Sequence, residues 1–291
     1  MTNLSKGIIA MLLSALGFTL MAVCVKLAGD LPVVEKSIFR NGIAALLSGY
    51  LVWKNRTSFF GRRINRRNLL LRSTFGLGGI LLSFYSIDHL LLSDADIIMK
   101  LSPFILIALS AVFLQEAVSY RQILLCLLAF IGVLLIIKPA FAVEQQTALY
   151  PYLIAIIGAV FAAGAYLMLR VLALSPQAES PYTIVFFFSF FSTVVLIPAL
   201  IWQFEPMSLT QFGYLLLSGV MATVGQFGIT WAYRYANAQE VSIYSYSSVI
   251  FAAFFSVLLF EQYPDWLSWG GYLLIFLSGY WMFLLNRKAK K

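Results

Sequence analysis

Long apolar runs separated by short polar stretches follow one another along the whole chain. A transmembrane helix needs ~20 apolar residues to cross the hydrocarbon core of a bilayer. Read from charge to charge, the sequence predicts ten such spans, numbered in chain order: 7–27, 33–53, 68–88, 94–114, 119–138, 149–170, 182–202, 210–233, 240–260 and 266–286. The alternating strands of ~10 residues that build a membrane β-barrel do not occur in it. The pattern therefore predicts an all-α integral membrane protein with ten transmembrane helices.

The composition agrees with a lipid bilayer as the surroundings. Of the 291 residues, 61% are hydrophobic and 11% are charged, whereas a soluble domain carries about 25% charged residues. The mean hydropathy is +0.89. A soluble fold could not cover this much apolar surface, which excludes soluble enzymes, disordered chains and coiled coils. The first apolar run, which begins after Lys6, is expected to be an uncleaved span rather than a signal peptide.

The basic residues collect at one face of the predicted bundle. With ten spans both termini lie at that face, which also carries the strongly basic connection 54–67. Most acidic residues fall at the opposite face. Since Lys and Arg accumulate on the cytoplasmic side of membrane proteins, the sequence predicts cytoplasmic termini in the cell inner (plasma) membrane. The net charge of +8 is explained by this orientation, so no nucleic-acid partner is expected. The basic set includes Lys6, Arg62, Arg72, Arg121 and Arg234.

A weak internal repeat divides the chain into two halves. Shifting the sequence by 145 residues aligns Ser73 with Ser218 and keeps one register from span 1 to span 9. An odd number of spans in each half makes such a repeat an inverted one. The sequence therefore predicts two inverted five-helix repeats, residues 1–146 and 147–291, arranged around a site near the membrane midplane.

Small and polar residues form stripes on several spans. On span 2 they follow helical spacing and form a single face. Spans 3, 8 and 9 carry similar stripes, whereas span 7, with its run Phe186–Phe188, is expected to face lipid. Each stripe indicates either close helix packing or the wall of a cavity. The span 2 face consists of Ser37, Arg40, Asn41, Ala44, Ala45 and Ser48.

Short motifs recur in the same order in both halves. The first half contains SIFRN at 37–41, FYSIDH at 84–89, SDAD at 93–96, LSPF at 101–104 and Glu116; the second contains YRYA at 233–236, Glu261, and glycines at 270–271 and 279. By these motifs the whole chain resembles the drug/metabolite transporter superfamily, and within it the EamA-type ten-helix transporters. The resemblance implies a central cavity lined by spans 1, 3, 4, 6, 8 and 9, and secondary transport without ATP. The sequence agrees, because it contains no Walker loop.

Two cations within the predicted spans are candidate substrate-binding residues. Arg40 lies about two turns inside span 2, where a charge costs ~2.5–3.5 kcal/mol on insertion scales. It is either an anion-binding or gating cation, or part of a structural pair. Lys100 lies four residues after Asp96, so the two share a helix face and can pair; the alternative is that Lys100 contacts substrate. Pro103 is expected to kink the helix beside Lys100.

The other candidate substrate-binding residues are neutral. Gln226 is an uncharged polar residue in the middle of span 8, and Trp231 follows it closely. Tyr85 and Tyr244 could stack on a flat substrate, and Ser245 belongs to the small-residue stripe of span 9. Packing explains aromatic residues equally well, since they make up 16% of the chain.

The start of span 4 is acidic. Ser93 is expected to cap this helix, and Asp94 and Asp96 suit its positive end. An aspartate there that binds and releases protons would also suit proton coupling.

The function predicted from these features is transport. We expect a secondary transporter that moves a small metabolite or amphipathic compound by alternating access, with proton coupling as one mechanism. The alternatives are an intramembrane lipid-modifying enzyme, for which the sequence carries no catalytic motif, and a lipid flippase. No catalytic residue, metal site or cofactor is expected, and a homodimer is compatible with the pattern.

Overall fold

The computed structural model describes residues 3–113, 119–137, 149–235 and 242–288. Within these ranges the chain forms eleven α-helices and two short 3₁₀ turns, and no strand. The helices are α1 (Asn3–Leu27), α2 (Val33–Lys54), α3 (Arg66–His89), α4 (Leu92–Met99), α5 (Ser102–Phe113), α6 (Tyr120–Ile137), α7 (Tyr150–Leu174), α8 (Pro181–Gln203), α9 (Leu209–Tyr235), α10 (Ser247–Phe260) and α11 (Trp266–Lys288).

Several of these helices have the length and apolarity that a bilayer requires. In the described ranges, five segments qualify as membrane spans: Asn3–Leu27, Arg63–His89, Tyr150–Leu169, Pro181–Gln203 and Leu209–Ala232. The helical segments Ile123–Gly132 and Tyr244–Phe260 are apolar but shorter. The chain is therefore an all-helical, multi-pass membrane protein, as its sequence predicts.

The predicted span 4 is two helices rather than one. Helix α4 ends at Met99 and α5 begins at Ser102, with Lys100 and Leu101 between them. Pro103 has no backbone N–H to donate to the Met99 carbonyl, and the Ser102 hydroxyl donates to that carbonyl instead, at 2.8 Å. The break therefore follows from the proline that the sequence analysis singled out. It also turns the chain beside Lys100.

The start of α4 differs from the prediction as well. The helix begins at Leu92 and is preceded by Leu91, whose side chain makes no capping hydrogen bond. Ser93 is therefore inside the helix and is not its cap. Asp94 is buried, and its Oδ1 accepts a hydrogen bond from the Tyr272 hydroxyl at 2.6 Å.

A second irregular segment precedes α10. The 3₁₀ turn Ser242–Tyr246 leads into the helix, whereas the sequence predicts one span over 240–260. The Tyr246 hydroxyl lies 3.4 Å from the Lys100 carbonyl and donates to it. The two interrupted segments therefore meet at their breaks. The motif residue Glu116 lies outside the described residues.

The bundle is built from four long helix pairs: α1 packs along α9, α2 along α8, α3 along α7 and α6 along α11. Glycines allow two of these pairs to approach closely. A Cβ at Gly17 would lie 2.8 Å from the Gly225 nitrogen, and a Cβ at Gly79 would lie 3.3 Å from the Ala162 nitrogen. Part of the small-residue stripe of span 3 is thus used for backbone contact, which is the role such residues have in membrane helices.

Candidate substrate-binding cavity

A cavity of about 170 Å³ lies between the two halves of the chain. Helices α1, α2, α3, α4, α7, α8 and α9 supply its wall, together with Lys100. Spans 1, 3, 4, 6 and 8 are among those expected, and spans 2 and 7 contribute one residue each. None of the described residues of span 9 belongs to the lining. The polar lining residues are Arg40, Arg72, Ser83, Asp96, Lys100, Tyr166 and Gln226.

Arg40 reaches this cavity from α2, as predicted from its place on a small-residue face. The side chain is 5% exposed. Its Nη1 donates to Asn41 Oδ1 at 2.8 Å, and its Nε lies 3.3 Å from Met21 Sδ. Neighbouring polar atoms therefore hold the guanidinium in place, but neither partner carries a negative charge.

Arg72 is a cavity residue that the sequence analysis missed. It was counted among the basic residues of the cytoplasmic face, yet it is 3% exposed and lines the cavity one turn before Gly76. A Cβ at Gly76 would collide with Arg72 Nη1, so the glycine makes room for the guanidinium. Arg72 lies four residues inside an apolar run that starts at 68, and that position was the signal for a buried charge.

Two nitrogens of Arg72 are buried without a partner. Neither Nε nor Nη1 has a hydrogen-bond partner in the described part of the chain. A buried donor without a partner carries a desolvation cost of about 1–3 kcal/mol, and more when it is charged. No described side chain or backbone group offsets this cost for Arg72 by a hydrogen bond to these nitrogens.

Phe188 lies against both arginines. The Arg72 Cζ is 3.9 Å from the centre of its ring and the Arg40 Cζ is 5.8 Å from it. A cation over an aromatic ring is stabilised by ~0.5–2 kcal/mol, which offsets part of the cost of burial. The expectation that the phenylalanine run of span 7 faces lipid is wrong for Phe188, which is 2% exposed. Its neighbour Phe190 is 41% exposed and fits that expectation.

Lys100 and Asp96 form the ion pair that their spacing predicts. Lys100 Nζ lies 3.7 Å from Asp96 Oδ1, and both side chains remain partly accessible. Asp96 Oδ2 also accepts a hydrogen bond from the Ser248 hydroxyl of α10 at 2.7 Å. The pair is thus anchored to the second half of the chain.

The remaining predicted site residues divide into one inside the cavity and four outside it. Gln226 lines the cavity and is 6% exposed. Tyr85 instead stacks on His89, with ring centres 4.1 Å apart, and Trp231 packs 5.4 Å from Tyr235.

Tyr244 and Ser245 lie in the 3₁₀ turn before α10 and do not line the cavity. Tyr244 packs beside Met11 and Ile229 instead. Residues of a 3₁₀ turn repeat every three positions rather than every 3.6, so a helical stripe does not predict which of them face inward.

Taken together, the cavity lining has an excess of positive charge. In the described lining, Arg40, Arg72 and Lys100 face one carboxylate, that of Asp96. The described ion pairs are Lys36–Asp88 and Lys100–Asp96, so neither arginine belongs to one. A low-dielectric wall around unbalanced cations attracts anions.

Different groups of side chains lie beyond the cavity toward the two faces of the bundle. Toward the face where α1 ends, buried Lys36 pairs with Asp88 at 2.7 Å. Toward the face where α1 begins, Leu69, Leu172 and Ile184 form a buried apolar cluster about one turn beyond Arg72 and Phe188.

Beyond this apolar cluster lies a second pocket of about 760 Å³. Its wall includes Arg62, Glu179, Tyr182, Thr230 and Arg234. The central cavity, the apolar cluster and this pocket therefore follow one another toward the same face of the bundle.

Among the described residues, no group of three or more His, Cys, Asp or Glu side chains could hold a metal ion.

A charged cavity between the two halves of an apolar helical bundle is typical of membrane transporters as a class. The sequence profile of the EamA-like transporter family matches residues 5–138 and 149–284. The chain belongs to this family, and its predicted resemblance is confirmed.

Characterised relatives and a solved structure agree with this assignment. The pseudopaline exporter of Pseudomonas aeruginosa is 33% identical over 94% of this chain and 95% of its own length. Solute carrier family 35 member G1 of Homo sapiens is 28% identical over 94% of this chain and 77% of its own length. A crystal structure with 16% identity superposes over 99% of both chains with a TM-score of 0.70, which shows a shared fold. The chain is a membrane transporter of small molecules.

Proposed function

We propose that this protein is a secondary transporter that carries its substrate across the cell inner (plasma) membrane by alternating access. The observation that carries the proposal is the charged cavity between the two halves, with an ion pair toward one face of the bundle and an apolar cluster toward the other. In this proposal the ion pair and the apolar cluster separate at different times, so that the cavity exchanges with one face at a time.

The helix pairs support an inverted repeat of residues 1–146 and 147–291. The 145-residue shift relates α1 to α7, α2 to α8, α3 to α9 and α6 to α11. Under this relation the packed pair α1–α9 corresponds to the packed pair α7–α3. In each of the pairs α2–α8 and α6–α11, the two helices correspond to each other. The interrupted segment α4–α5 corresponds to the 3₁₀ turn and α10. A two-fold axis in the membrane plane, relating ten spans, accounts for this pattern.

The points of closest helix contact follow the same relation. Gly17 packs against Gly225, and Gly79 packs against Ala162. The shift takes Gly17 to Ala162, and takes Gly79 to the residue beside Gly225. Equivalent contacts in the two halves allow open-inward and open-outward packings of similar free energy.

Two carboxylates hold the central pair α2–α8 together at both ends. Glu35, in the first turn of α2, accepts from the Glu205 backbone N–H after α8, at 2.6 Å. Glu179, just before α8, accepts from the Arg62 backbone N–H after α2, at 2.7 Å. The reciprocal contacts favour motion of α2 and α8 as one unit, while the other helices rearrange around them.

Proton coupling is the mechanism that we assign to Asp96. Asp96 carries the one carboxylate in the described lining, and it joins Lys100 of the first half to Ser248 of the second. Protonation would weaken the contact with Lys100 and so alter how α4 packs on α10. In this proposal a proton binds Asp96 as the transporter changes its open side.

Transport in proteoliposomes tests the proposed function. We propose export as the direction, because a 33% identical relative is named a pseudopaline exporter. Pseudopaline and a panel of metabolites would be loaded into liposomes, and counterflow would be measured with and without a pH gradient. We expect protein-dependent flux that responds to the gradient in the wild type and loses that response in Asp96→Asn. Flux that is absent for all solutes in folded protein would contradict the proposal.

A further inference from the structure

The cavity holds two arginines whose charges are not balanced by the protein. Arg40 and Arg72 both lie over the ring of Phe188 and both line the cavity. Lys100, the third cation, has Asp96 as its partner. Neither arginine has a carboxylate within ion-pair distance among the described residues. The cavity therefore lacks two negative charges.

The two guanidiniums differ in what they can offer a ligand. Arg40 uses Nη1 and Nε on Asn41 and Met21. Arg72 has Nε and Nη1 buried and unpartnered in the described structure, and the ring of Phe188 supports its planar face. Arg72 is among the residues that line the cavity, so a charge-assisted hydrogen bond from its guanidinium can bind one carboxylate of a ligand there.

We propose that the transported substrate is a small organic dianion, with one carboxylate bound by Arg72 and its second negative charge compensated by Arg40. The inference rests on the proposed transport function, since it names the substrate class of the same cavity. Arg72 is the specificity-determining residue, because its charge lies at the cavity wall and no described carboxylate balances it. Gly76 and Phe188 position it, the glycine by leaving space and the ring by packing against the guanidinium.

A size-matched series of ligands tests the charge class directly. Succinate, succinamic acid and succinamide carry two, one and no negative charges on the same skeleton, and 1,4-diaminobutane is the cationic counterpart. Binding would be measured by calorimetry and thermal shift on the full-length purified protein, with glutarate as a longer dianion. We expect succinate and glutarate to bind more tightly than succinamic acid, and succinamide and the diamine not to bind.

Variants of Arg72 test whether this residue binds the dianion. Arg72→Gln should weaken dianion binding on the order of 10- to 100-fold, the loss expected for hydrogen bonds to a charged group. Arg72→Lys should recover only part of it, because Lys lacks the planar group that packs over Phe188. Arg121→Gln, at an exposed arginine outside the cavity, should bind like wild type. Ligand-free Arg72→Gln loses the contact with Phe188 but also removes a buried charge with unpartnered donors, so its melting temperature should change little.

Flux measurements with the same solutes separate the claim about the substrate class from the claim that the protein is a transporter. Equal binding of succinate and succinamide, unchanged binding by Arg72→Gln, or no dianion binding at millimolar concentration would each overturn the inference. Transport that favours neutral or cationic solutes would overturn the anion class while leaving the transport function intact. Dianion binding without flux of any solute would leave the anion site and overturn the transport proposal.

Discussion

At the residue scale, position within an apolar run indicated most of the cavity charges. Arg40 and Lys100 interrupt such runs, so the cost of a charge in lipid predicted that they face the protein interior, and they do. Arg72 lies close enough to a basic connection to be grouped with it, so its burial was not predicted. Tyr85 and Trp231 pack against neighbouring rings and are not in the cavity lining, because residue type alone does not indicate the direction of a side chain.

The Lys36–Asp88 pair gives a stability prediction at this scale. Lys36 is fully buried, so Asp88→Asn leaves a buried cation without its partner. Loss of one partner of a fully buried pair costs ~3–5 kcal/mol, and we expect less here because Asp88 is 20% exposed. Thermal unfolding in detergent should show a lower melting temperature for Asp88→Asn.

The double variant Lys36→Met/Asp88→Leu supplies the control for this prediction. Apolar residues of similar volume can replace a buried ion pair without loss of stability. The double variant should therefore recover most of the melting temperature lost by Asp88→Asn. A double variant as unstable as the single one would show that the loss in Asp88→Asn does not come from leaving Lys36 without its partner.

At the element scale, the sequence predicted where helices lie and less well where they are interrupted. Bilayer thickness sets a length that the apolar runs reveal directly, so each predicted span overlaps a helix. The breaks beside Lys100 and before α10 depend on backbone geometry over a few residues, which hydropathy does not report. Pro103 marked the first break, and no comparable residue marks the second.

The crossing of α1 and α9 gives a prediction for helix packing. A Cβ at Gly17 would lie 2.8 Å from the Gly225 nitrogen, so Gly17→Leu must push the two helices apart. Overpacking of this kind costs ~1–3 kcal/mol, and the melting temperature should fall. The matched control is Gly42→Leu, because a Cβ at Gly42 meets nothing within 4 Å. Equal melting temperatures for the two variants would contradict the close crossing.

At the scale of the whole molecule, the orientation of the protein in the membrane is the prediction that depends on the whole sequence rather than on a few residues. It rests on the contrast between a basic and an acidic face, which no single residue determines. We expect Asp30→Cys, on an exposed residue after α1, to react with an impermeant thiol reagent added to intact cells. Ile64→Cys, in the basic connection and 65% exposed, should react only after the membrane is opened. The reverse pattern would invert the topology.

Alternating access is the central claim, and the accessibility of one cavity position tests it most directly. Ser83 lines the cavity and is partly exposed, so Ser83→Cys can be placed in a chain whose Cys24 and Cys126 are replaced by alanine. In proteoliposomes, an impermeant thiol reagent should modify this cysteine from either side of the membrane, and bound substrate should slow the reaction from both. Reaction from one side only, with and without substrate and a pH gradient, would contradict alternating access through this cavity.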